Sequence, residues 1–172
     1  LTERVETDLA VALALRRPDR SERIIARQLG RIGDANLRAR LEFVAPALSF
    51  EQAARDTVFE AICGGQARGT WAVASLELLN HPIRAAEHVH YIEPGMAAAA
   101  NIHARGDIFL PRQWLEALFS GHGTQAAADT IERFVVTRQD RLPERFVALV
   151  EQTADPVYRA ATLLSRAQSS GR

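Results

Sequence analysis

Glu87-His88-Val89-His90 is the densest group of side chains here that could hold a metal ion or move a proton. A zinc-peptidase helix carries His-Glu-x-x-His, two imidazoles one turn apart with a carboxylate base between them. That spacing is absent from the sequence. On an α-helix His88 and His90 would point about 200° apart and could not share one ion. Glu87 and His90, three residues apart, would share a face, and a hydrogen-bonded or solvated pair is the expectation. His81 and His88 would stand about 10 Å apart along a helix axis, too far for joint ligation. His122, between Gly121 and Gly123, reads as an exposed histidine in a flexible turn without a visible partner. Cys63 closes the apolar run Val58 to Ile62 and reads as a buried small hydrophobe. Gly-x-Ser-x-Gly, the P-loop and Gly-x-Gly-x-x-Gly are absent too. Trp71 and Trp114 read as core anchors rather than ligand platforms.

The elements that must position these residues are helices almost throughout. Val5, Leu9, Ala12 and Leu13 fall on one helical face, and Pro18-Asp19 breaks that helix. Asp19 with Glu22, and later Ser49 with Gln52, have the spacing of capping boxes. Ile25, Leu29 and Ile32 make the next stripe, closed by Gly33, and Leu37, Leu41, Val44 and Leu48 follow at spacings of four, three and four. Gly64-Gly65 is a natural helix stop. Trp71, Val73, Leu76, Leu78 and Leu79 are apolar on more than one face, which predicts a deeply buried helix. Pro82 can sit at a first helical position, and Pro94-Gly95 reads as a break. Ile108-Phe109-Leu110 reads as an extended connector into a helix opened by Pro111. Thr124 caps a helix bearing Ala127, Ile131 and Phe134; Pro143 starts a short one, and Asp155-Pro156 the last. The tail 168–172 is small and polar and is expected to fray.

No alternating run of Val, Ile, Thr and aromatics marks a sheet. Ten or eleven short helices with tight connections, as this pattern predicts, suit an all-α superhelix of stacked antiparallel helix pairs, HEAT- or armadillo-like, without a clean sequence repeat.

Composition narrows the function classes. The 172 residues suit one domain, and an apolar fraction of 47% is ample for a core. Formal charge is zero, from 21 basic and 21 acidic residues, which argues against a nucleic-acid surface. Every basic residue is arginine. The cluster Arg16, Arg17, Arg20, Arg23 and Arg27, with Asp19 and Glu22 nearby, reads as a solvated face with local ion pairs. A single cysteine forms no internal disulfide. No apolar run reaches transmembrane length, so no membrane partner is expected, and Glu3, Glu6 and Asp8 interrupt what would be a signal peptide. A soluble chain is the expectation, with the cytoplasm as default compartment. A first residue other than methionine points to a piece of a longer protein.

Several segments, in order, resemble the C-terminal helical domain of bacterial zinc aminopeptidases of the aminopeptidase N family. They are Phe43-Val44-Ala45-Pro46-Ala47-Leu48-Ser49, Arg55-Asp56, Trp71-Ala72-Val73 to Leu78-Leu79, Asn80-His81-Pro82-Ile83-Arg84-Ala85-Ala86, and the block Gly106 to His122. Together they run from about Leu41 to Val150. The resemblance implies one helical-repeat domain over residues 1–172, the C-terminal part of a larger aminopeptidase. Such a domain closes over the catalytic cleft and limits peptide access. It further implies zinc in a catalytic domain of the same polypeptide, with none held by this chain, and peptides as substrate. The zinc motif and the Gly-x-Met-Glu-Asn exopeptidase motif are both absent here, so no catalytic residue is assigned. Arg84 and Arg112, at helix starts inside the resembling blocks, are the substrate-cavity candidates, because a guanidinium fork suits a peptide's terminal carboxylate. A structural salt bridge or cap contact is the competing role for both. The rival reading of the whole chain is a free-standing helical-repeat scaffold that binds a protein partner.

Overall fold

A computed structural model describes residues 1–66 and 68–170, with side chains through residue 167. Among the described residues there are nine α-helices and no strand: the protein is all-α. Backbone contacts group the chain into two compact units, residues 1–79 and 80–172.

The first unit holds α1 (Glu3–Arg16), α2 (Ser21–Leu29), α3 (Ala35–Val44), α4 (Gln52–Cys63) and α5 (Gly69–Leu79). Thr2 caps α1 and Asp34 caps α3 through their side-chain oxygens. The core is Ala14, Leu15, Ile25, Ile32, Leu41, Val44, Leu48 and Ala74. A buried hydrogen bond from Gln28 Nε2 to Thr7 Oγ1 (3.0 Å) ties α2 to α1. The Glu3 carboxylate accepts from the backbone N–H groups of Gly33 and Asp34 at 3.1 and 3.2 Å. The buried Arg55 donates to the carbonyls of Ser49 and Phe50, holding the turn before α4. The end of α4 is a Schellman motif: Gln66 N–H bonds Ala61 O, Gly65 N–H bonds Ile62 O, and Gly65 takes φ +77°.

Three local features differ from what the sequence pattern predicts. Asp19 does not cap α2; a 3-10 turn over Pro18–Arg20 precedes the helix, and Asp19 pairs with Arg17 and Arg20 instead. The Ser49 hydroxyl accepts from Glu51 N–H, two residues on, which is a turn contact and not a capping box. The face of α1 that packs inward carries Thr7, Val11, Ala14 and Leu15, so Val5, Leu9 and Leu13 are left in solvent.

The second unit holds α6 (Ile92–Ala104), α7 (Leu110–Phe119), α8 (Gln125–Arg138) and α9 (Glu144–Ser170). α7 packs against α6 and α9, and α8 against the same two helices. Tyr91, Met96, Trp114, Leu115, Leu118, Ile131, Phe134 and Phe146 fill the interior. Thr124 caps α8 by accepting from Ala127 N–H, as its sequence position predicts. Pro94-Gly95 does not break the chain. Pro94 lies in the first turn of α6, where a missing N–H costs nothing. Gly95 faces α7: a β-carbon there would stand 2.7 Å from Leu118 Cδ1, and Trp114 Nε1–H donates to the Gly95 carbonyl at 2.9 Å. Nor does Asp155-Pro156 start a helix. α9 passes straight through Pro156, which lies on its solvent side. Residues 171 and 172 of the expected frayed tail lie outside the described residues, and the backbone up to Ser170 is helical.

Candidate functional site

The segment 80–91 is where the chemistry-bearing residues gather. It is not an α-helix. Pro82 sits in a turn, and two 3-10 turns follow, Ala85–Glu87 and Val89–Tyr91. The helical angle expected between His88 and His90 therefore does not apply. Their rings meet edge to face, 6.0 Å between centroids. His88 is fully buried and stacks toward Tyr91 at 5.0 Å, while His90 is exposed and lies 4.2 Å from the same Tyr91 ring. Among the described residues no group of three His, Cys, Asp or Glu side chains is placed to hold a metal ion.

His122 is the residue whose environment departs most from its expectation. It is buried, with 7% of its surface exposed, and not an exposed loop histidine. Gly121 explains why. It packs so closely on the segment 80–82 that a β-carbon at this position would stand 2.0 Å from Asn80 O and 2.7 Å from Pro82 N. That approach lowers the imidazole onto Asn80, itself fully buried, with Nε2 2.9 Å from Asn80 Oδ1. An amide oxygen only accepts, so the ring hydrogen sits on Nε2. Burial, and then the electrostatic influence of His88, push the His122 pKa down to about 4. The ring is thus neutral near pH 7, with its one N–H committed to Asn80. It fixes two backbone segments to each other.

Arg84, in the segment 80–91, is buried too, with 7% of its surface exposed. Arg112 is not. It stands on the exposed face of α7, paired with Glu116 one turn on at 3.4 Å and donating to Gln152 of α9. The two arginines are therefore in different settings: one is enclosed, the other reachable by a ligand. Cys63 is half-buried, and burial raises its thiol pKa to about 12, so it is a poor nucleophile. The connector before α7 presents Ile108 and Phe109 to solvent, 77% and 72% exposed. It is pinned by Asp107, whose carboxylate accepts from the N–H groups of Phe109 and Leu110.

The contact of Asn80 with His122 was not legible as such. A glycine before the histidine and an asparagine before His81-Pro82 were the available signals, but nothing local shows that they meet 42 residues apart. Comparison with known proteins finds no matching family model, no similar curated protein and no similar solved structure. No helix among the described residues is long and apolar enough to cross a membrane.

Proposed function

We propose that this chain is the C-terminal helical domain of a zinc-dependent bacterial aminopeptidase of the aminopeptidase N family, its helix pairs stacked as a superhelix. In that reading it encloses the cleft in which a separate catalytic domain of the same polypeptide, holding zinc, removes N-terminal residues from peptides. The observation that carries the reading is the packing of its two most characteristic segments. Asn80–Ala86 and Gly106–His122 are far apart in sequence, yet they are locked together by the Gly121 approach and the Asn80–His122 hydrogen bond. Segments that resemble a family for a structural reason should cohere in this way.

The enclosing role also suits the division of labour between the arginines. Arg112 is accessible and can hold a terminal carboxylate; Arg84 is enclosed. In the native polypeptide, Arg112→Ala is expected to slow turnover of long peptides more than that of aminoacyl-fluorophore substrates. Equal effects on both would remove Arg112 from the substrate cavity. Full retention of both activities after deletion of residues 1–172 would end the enclosing role altogether.

A further inference from the structure

The inward rotation of α1 leaves an unused apolar surface. Leu9 and Leu13 are 57% and 52% exposed on its outer face. They adjoin Ile24 of α2 in two hollows of about 430 and 420 Å³ that share Leu13, Ile24 and Arg27 and so form one continuous groove between α1 and α2. Arginines border its whole length. Arg20 ends the 3-10 turn before α2, Arg23 and Arg27 stand one turn apart on α2, and Arg31 follows the helix. The end members are engaged, Arg20 with Asp19 and Arg31 with Glu6. Among the described residues, Arg23 and Arg27 carry no ion pair, and both are solvent-exposed.

An apolar floor with two uncompensated guanidinium groups on its rim specifies its occupant. An amphipathic helix fits such a groove by laying apolar side chains at i, i+3 or i+4 and i+7 along the floor. Here its flanks must carry carboxylates, because like charges along the rim would be repelled. We propose that the α1–α2 groove is a docking site for an acidic amphipathic helix of another protein, of about three turns, with leucine-type residues on Leu9, Leu13 and Ile24 and Asp or Glu against Arg23 and Arg27. This surface exists whether or not the chain closes a peptidase cleft.

The test uses two labelled helical peptides of three turns, identical in their leucines, one with glutamates on both flanks and the other with arginines. Fluorescence anisotropy with the 172-residue chain should show the glutamate peptide binding at least tenfold more tightly, with an advantage that shrinks as salt is raised. The double substitution Arg23→Glu, Arg27→Glu should reverse that order. The rescue of the arginine peptide distinguishes lost complementarity from lost folding. Leu13→Asp should weaken both peptides. Equal binding of the two peptides to the unaltered chain, or an order that survives the double substitution, overturns the assignment. So does binding to phosphatidylcholine–phosphatidylglycerol vesicles that neither peptide displaces, which would make the face a lipid contact. A chain dimer dissolved by Leu13→Asp would overturn it in favour of self-association.

Discussion

Replacing Gly121 by alanine should cost more stability than any other glycine-to-alanine change in the second unit. The added β-carbon would stand 2.0 Å from Asn80 O, while real β-carbons essentially never come within 3.0 Å of a heavy atom from a distant part of the chain. The obstacles are backbone atoms, so no side chain can swing aside. The turn must therefore retreat from the segment 80–82 by about 1 Å. That movement stretches the 2.9 Å contact between His122 and Asn80 to a length at which it is no longer a hydrogen bond. Overpacking of this kind costs about 1–3 kcal/mol. A buried polar pair left unsatisfied adds about 1–3 kcal/mol. A loss of about 3–4 kcal/mol, equivalent to roughly 6–16 °C in melting temperature for a chain of this size, is the expected result. Urea unfolding followed by the buried Trp114 in a Trp71→Phe background reads this unit directly, since those are the only two tryptophans. Gly30→Ala is the control. Its β-carbon would meet only ordinary contacts of 3.6 Å and beyond, and the backbone there is already right-handed helical, so no loss is expected. A Gly121→Ala loss below about 1 kcal/mol would refute the claim that this close approach organises the site.

Two further outcomes follow from the same chemistry. His122 is held neutral with its pKa near 4, below its ordinary value of 6.5, so the unfolded chain binds the extra proton between those values. Stability is then complete above pH 6.5 and falls as pH drops toward 4, by at most about 3 kcal/mol. His122→Gln should flatten that slope in denaturation curves taken from pH 7 to 4, and an unchanged slope would place the titrating group elsewhere. Ser75, fully buried in α5, has a hydroxyl with no hydrogen-bond partner among the described residues. Ser75→Ala removes that uncompensated group and improves helix propensity, so a gain of about 1 kcal/mol is expected by thermal melting; a loss would mean that the hydroxyl is satisfied in solution.

Of the signals confined to one turn of chain, the capping-box spacings Asp19–Glu22 and Ser49–Gln52 form other contacts, whereas three act as their chemistry predicts. Thr124, Pro111 and Gly64-Gly65 act through their own neighbours, and each lies where its capping or stopping chemistry predicts. Signals that depend on position within a helix were misread. Pro94 breaks nothing because it occupies a first turn, and α9 carries Pro156 on its solvent side. The inward face of α1 was misassigned because its leucines outweigh its true core residues in hydrophobicity. What turns Thr7 inward is a hydrogen bond to Gln28, 21 residues away, and no periodicity shows it. The candidate site failed to show for the same reason: its defining contact joins Asn80 to His122 across 42 residues.

The most direct measurement of the central claim is turnover of aminoacyl-fluorophore substrates by the native polypeptide and by residues 1–172 alone, each after chelation and again after zinc is restored. Activity that returns with zinc in the native polypeptide, and is missing from the isolated chain, is the predicted result. Absence of zinc-dependent turnover in the native polypeptide, or turnover by the isolated chain itself, would contradict it.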